Sequence, residues 1–120
     1  MDRSGMRVIA LLALLATACG AGPPSALGGD PSAGKLLLRQ YGCAGCHRIP
    51  GVPAAYGNTG PPLDALARRV YLAGRLPNTP ENLAAWIRDP QRIDPRTLMP
   101  DMQLSEAQAR DIVAYLYTLR

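Results

Sequence analysis

Apolar residues recur at three- and four-residue intervals along several stretches of this chain, the period of one helical face. The clearest stretch is the last, with Ala109, Ile112, Val113, Leu116 and Leu119 following the capping box Ser105-Glu106-Ala107-Gln108. Thr79-Pro80-Glu81 starts an earlier helix by placing an N-cap, a first-turn proline and an acid in order. That helix carries Leu83, Trp86 and Ile87 on one face and stops before Pro90. A helix from Leu63 or Asp64 to about Leu72 is predicted from Leu66 and Val70, with Gly74 as its terminator. The first helix follows the N-cap chemistry of Asp30-Pro31-Ser32 and runs through Lys35–Tyr41 towards Cys43, with Cys43–His47 expected as its last turn and continuation.

Between these stretches the chain is rich in breakers. Ile49 to Pro62 holds four prolines and three glycines, which excludes helix and central strand. Asp89 to Asp101 holds three more prolines and reads as an extended loop. No stretch alternates convincingly enough for a strand, so the expected fold class is all-α, with about four short helices and long loops. Long loops in a small domain normally argue against an assignment, unless something large sits inside for them to wrap. Phe is absent and there is one Trp in 120 residues, so the centre lacks large flat side chains of its own.

The N-terminus has a different pattern. Arg3 and Arg7 precede the short apolar run Val8–Ala16, too short to span a membrane and ending in small residues, as an export signal does. Residues 1–18 are therefore expected to be a signal peptide, residues 19–29 a flexible Gly/Pro/Ala/Ser-rich tether, and residues 30–120 a single domain. Ala16-Thr17-Ala18 fits ordinary signal cleavage. Leu15-Ala16-Thr17-Ala18-Cys19 also resembles a bacterial lipobox, displaced by one position, with Cys19 as the lipidated residue. Lipidation accounts for a lone third cysteine and gives the tether a purpose; the alternative is a soluble secreted form. From Cys19 onward there are eleven basic and eight acidic residues, an excess of three. That is too mild for nucleic acid and suits docking to an acidic protein face.

The chemistry is concentrated in Cys43-Ala44-Gly45-Cys46-His47, which holds two of the three cysteines and the single histidine. A C-x-x-C-H run reads as a c-type haem attachment site: each thiol adds to one vinyl group, and the histidine follows under the iron. His47 is then the proximal ligand, and its second ring nitrogen needs an acceptor to orient it. The sixth position decides the use: an open site permits ligand binding or peroxide chemistry, whereas a thioether closes it for electron transfer. The candidates are Met99 and Met102 in the proline-bounded loop Met99-Pro100-Asp101-Met102.

These residues resemble the class I, His/Met mono-haem cytochromes c, across essentially all of Asp30–Arg120. Thr59-Gly60-Pro61-Pro62-Leu63 is similar to the family's T-G-P-x-L segment, and Asp111–Leu116 to its C-terminal helix. Trp86–Pro90 followed by Leu98-Met99-Pro100 most resembles the cytochrome c domains associated with haem-copper oxidases. The resemblance implies a small fold wrapped around one covalently held haem c, with the Pro61 carbonyl accepting from His47 and Leu63 on the proximal side. It implies that Arg69 and Trp86 bind propionates, that Tyr115 packs near Gly34, and that Met99 rather than Met102 ligates iron.

The expected function is a single-electron carrier working through an exposed haem edge. Its expected partners are acidic faces of a terminal oxidase or other respiratory complex, in the bacterial periplasm, as a monomer anchored by Cys19 if that residue is lipidated. No catalytic side chains are expected. A haem-based sensor or peroxidase-like protein with an open sixth site is the alternative. A thioredoxin-like redox pair or zinc site lacks the βαβ pattern and a second ligand pair.

Overall fold

The computed structural model describes residues 25–120, so the expected signal segment and Cys19 lie outside the described residues. Four helices are present among the described residues: α1 (Pro31–Gln40), α2 (Pro80–Arg88), α3 (Pro90–Ile93) and α4 (Glu106–Leu116). A two-residue antiparallel pair, β1 (Tyr71–Leu72) and β2 (Leu76–Pro77), joins them. None of these helices is long and apolar enough to cross a membrane.

The frame is the crossing of α1 and α4. Gly34 is buried on α1, and a Cβ there would overlap the carbonyl of Asp111 and press on the Cα of Ile112. Only hydrogen at that position lets the two backbones come so close. Asp111 also accepts from the Asp30 amide at 2.8 Å, while Asp30 caps α1 by accepting from Ser32 at 2.8 Å and Ala33 at 3.4 Å. At the other helix the capping box is complete: Ser105 and Gln108 satisfy each other's backbone amides. Gln108 also donates to the Tyr41 hydroxyl at 2.9 Å, tying the start of α4 to the end of α1. Tyr115, one turn beyond Asp111, donates its hydroxyl to the Pro50 carbonyl at 2.7 Å. The α4 positions expected to face inward, Ala109, Ile112, Val113 and Leu116, are all buried, while Leu119 is half-buried.

Five expectations about local structure require correction. No helix spans residues 63–72; a single 3-10 turn, Leu66–Arg68, is followed after Arg69 and Val70 by β1. Ala65 is left-handed, with φ 52°, which no continuous α-helix can include. The Asn78 amide takes the carbonyls of Leu66 and Arg69 at 2.8 and 2.9 Å, removing acceptors that a helix would have used. A strand pair therefore exists where none was expected. Gly74 serves it as a hairpin-turn residue, at φ 65° beside Ala73 at φ 50°, rather than as a helix cap.

The attachment motif is not the last turn of α1. The helix stops at Gln40, Gly42 adopts the left-handed region at φ 72°, and Cys43–Gly45 form a separate 3-10 turn. Residues 89–101 are not wholly extended, because Asp89 caps the short α3 by accepting from the Arg92 amide at 3.1 Å. At the N-terminal side, the last residues of the expected tether lie against the domain. Ala26 and Leu27 pack on the core, and a Cβ on the buried Gly29 would overlap the Arg110 carbonyl.

Replacing Gly34 with Ala should force α1 and α4 apart, since the obstacle is backbone that cannot swing aside. The expected cost is about 3 kcal/mol, at the upper end of overpacking effects. It is read as a lowered urea midpoint with an unchanged m-value.

Candidate cofactor site

One cleft of about 390 Å³ gathers all of the described residues singled out by sequence: Cys43, Cys46, His47, Pro61, Leu63, Arg69, Trp86, Met99 and Met102. Its floor and walls are otherwise mostly apolar, built by Leu38, Leu66, Leu83 and Ile87 among others. A second, open groove of about 440 Å³ beneath residues 48–56 is lined by Arg48, Pro50, Tyr56 and Asp64. It brings together no comparable donor set.

The proximal wall is zipped to the motif. His47 and Cys46 donate their amides to the Cys43 carbonyl at 2.9 and 3.2 Å, so the motif is one tight turn. Gly60 donates to the Cys46 carbonyl and Leu63 to the Arg48 carbonyl, both at 2.8 Å, which lays residues 57–63 along 46–48. His47 Nδ1 then meets the Pro61 carbonyl at 2.7 Å. A carbonyl can only accept, so Nδ1 carries the proton and Nε2 keeps its lone pair free, as a metal-ligating imidazole requires. Gly60 was quoted in the sequence motif but without a reason. The reason is steric, since a Cβ there would collide with the His47 ring.

The two thiols are both free and half-buried. Burial pushes the Cys43 thiol above its ordinary range, opposed by a backbone hydrogen bond and aided by the nearby Cys46. Such a thiol stays protonated at neutral pH, which leaves it quiet rather than nucleophilic on its own.

The loop containing Met99 and Met102 lines the same cleft, with both residues half-buried and packed on the core. The backbone of Met99 is held at both ends: its amide donates to Thr97 Oγ1 at 3.2 Å, and its carbonyl accepts from Gln91 Nε2 at 2.6 Å. Gln91 was not singled out by sequence reasoning, because a glutamine in a proline-rich segment carries no local signal of what it will reach.

Arg69 lies on the cleft wall, yet it also braces the proximal loop. Its Nη2 donates to the carbonyls of Pro62 and, at 3.2 Å, Asp64. Trp86 presents its half-buried indole to the cleft, and no hydrogen bond of its N–H is found among the described residues. Asp94, also on the wall, is already engaged. It accepts from the Arg96 amide at 3.1 Å and pairs with Arg75 at 3.0 Å, and these hold its carboxyl below the usual range.

The donor set fits a covalently held haem. Two thiols stand at one end of an apolar cleft, an imidazole with a free Nε2 forms one wall and thioethers another. Such softness suits iron held by nitrogen and sulfur rather than a hard oxygen-bound cation.

Comparison with known proteins bears on this arrangement. The family model described as Cytochrome c matches residues 31–120. Cytochrome c-552 of Bradyrhizobium diazoefficiens is 32% identical over 96 residues, which are 80% of this chain and 81% of that protein. Cytochrome c oxidase subunit 2 of Alkalihalophilus pseudofirmus is 36% identical over 88 residues, 72% of this chain. The chain spans only 25% of that subunit's length. Among solved structures, cytochrome c2 from Rhodobacter sphaeroides superposes with a TM-score of 0.53 at 22% identity, covering 76% of this chain and 96% of that one, a likeness of fold.

Gly60→Ala tests the proximal wall. It should destabilise the protein by about 2 kcal/mol through overpacking against the imidazole, whereas Gly45→Ala, whose Cβ meets nothing within 4 Å, should be nearly silent. Chemical denaturation of the two variants side by side makes the comparison.

Proposed function

The chain belongs to the cytochrome c family, and on that premise we propose that it is a one-electron carrier holding a single haem c through Cys43 and Cys46. Members of this family are electron-transfer proteins with covalently bound haem, whose iron supplies a one-electron couple when bound. In this reading His47 Nε2 is the proximal ligand and Met99 the distal one, with Met102 the alternative. The observation that carries it is the 2.7 Å contact of His47 Nδ1 with the Pro61 carbonyl in the cleft that also holds the two methionines.

Each residue then has a defined task. Pro61 fixes the tautomer and plane of His47, and Gly60 leaves room for that plane. Leu63 covers the proximal side, and the Trp86 indole N–H is free to donate to a propionate. Arg69 joins it with whatever donors its loop-bracing bonds leave. A thioether at the sixth position excludes water and exogenous ligands and favours the reduced state. The protein's own contribution is thus geometric: it would hold an imidazole and a thioether in one cleft so that little needs to rearrange between oxidation states.

We assign the partners by charge and kinship. The mild basic excess suits transient docking to acidic faces of a terminal oxidase or other respiratory complex. The relatives named as oxidase subunit 2 support the oxidase in particular. Export to the bacterial periplasm, through a signal peptide at residues 1–18 with Cys19 as a lipid anchor, completes the proposal. A sensor or peroxidase-like protein with an open sixth site is the competing reading, favoured only if neither methionine binds.

Substitution separates these. Met99→Leu should abolish the iron–thioether charge-transfer band and let the reduced protein bind carbon monoxide readily at neutral pH, whereas Met102→Leu should do neither. A parent protein that already binds carbon monoxide readily would favour the open site. Intact mass of the mature protein checks the anchor, since an unmodified Cys19 excludes it. Electron transfer to an isolated oxidase should slow as salt screens the docking charges.

A further inference from the structure

Two methionines on one wall of the cleft raise the question of how one is chosen, and we propose that Gln91 makes the choice by clamping the backbone of Met99. The inference rests on the reading that Met99 is the distal ligand.

Both side chains are half-buried and both line the cleft, so burial alone does not separate them. Their backbones do differ. Met99 is tied at its amide by Thr97 and at its carbonyl by Gln91, at 3.2 and 2.6 Å. Met102 makes no backbone hydrogen bond among the described residues. The residue after it, Gln103, is in the left-handed region at φ 53° and donates to Asp101 Oδ1 at 2.7 Å, a local turn that spans Met102 without engaging its own amide or carbonyl.

The clamp is built on a rigid base. Pro90 is buried at the first position of α3, and Asp89 caps that turn. Asp94 donates its amide to the Pro90 carbonyl at 2.9 Å, and Thr97 donates to the Asp94 carbonyl at 3.0 Å. The Asp94 side chain is fastened to Arg75, close to β2, at 3.0 Å. Gln91 therefore reaches Met99 from a fixed turn across an eight-residue separation. Thr97, next in this succession of turns, holds the other end of the same residue. A four-residue helix inside a proline-rich loop has little reason to persist alone, and here it presents a donor to the carbonyl of the ligand residue.

Gln91 is thus a positioning residue, one that touches the backbone of the ligand and acts through it. Without its bond the Met99 thioether would leave the iron more often, and Met102 would compete for the vacancy.

The test uses the full haem protein with Gln91→Leu, which keeps most of the volume, and Gln91→Glu, which keeps the shape but cannot donate when ionised. Loss of one hydrogen bond should raise the rate of carbon monoxide binding to the reduced protein, limited by thioether release, by about five- to tenfold. The proton spectrum of the reduced variants should show a second axial-methionine methyl signal that vanishes in Gln91→Leu combined with Met102→Leu. Tyr115→Phe, which removes one hydrogen bond between residues that do not line the cleft, should leave the carbon monoxide rate unchanged. An equal rise in Tyr115→Phe, or Gln91 variants with the parental rate and a single methyl signal, would overturn the clamp. Met99→Leu that retained its thioether band would overturn the ligand assignment as well, so the two failures are distinguishable.

Discussion

The bond between His47 and the Pro61 carbonyl is the interaction on which the rest of the site depends. It joins the attachment turn to a loop that would otherwise have no reason to lie against it, and it decides which imidazole nitrogen is free. Around it the chain has removed every obstacle: Gly60 and Gly57 lack the Cβ atoms that would strike His47 and the Cys46 backbone. The amides of Gly60 and Leu63 then close the zip on either side. Loss of this clamp would leave an imidazole free to rotate and a cleft with only one defined wall.

That clamp is presented by a frame of two helices rather than by a large core. The α1–α4 crossing brings backbones into contact at Gly34, and the polar ties of Asp30, Asp111, Tyr41 and Gln108 set its angle. The central apolar surface of this domain lies on the cleft walls, so a bound haem would act as a part of the core as well as the redox centre. The long loops follow from the same arrangement: they are ordered by short turns, caps and ion pairs, and Leu63, Met99 and Met102 line the space the cofactor would fill.

Much of this was legible in the chain. The C-x-x-C-H run, the capping box at Ser105, the Thr79 start of α2 and the inward face of α4 are local signals, each depending on residues within one or two turns. One failure occurred where a distant group intervened, and two where a local signal has two readings. The 63–72 stretch has a helical spacing of apolar residues, but Asn78 captures its carbonyls and Ala65 breaks its backbone, so a turn and a hairpin form instead. The α3 turn was obscured by prolines that usually exclude helix, although a proline at the first helical position is tolerated and Asp89 supplies the cap. Gly42 ended α1 before the motif because a glycine takes the left-handed conformation at no steric cost.

What the sequence by itself determined was the chemistry: two thiols and an imidazole in a fixed spacing, a pair of thioethers in a stiff loop, and helical faces to bury. These are properties of covalent order and short-range propensity, which need no knowledge of the fold. Only the tertiary structure decided the orientations. It set Nδ1 of His47 on Pro61, brought the methionine loop to the same cleft, spent part of Arg69 on bracing a loop, and carried Gln91 to the Met99 carbonyl. The three hydrogen-bonded pairings join residues seven to fourteen positions apart with no helical or strand period between them. Local spacing is silent about such contacts, because their geometry is set by how turns and helices pack.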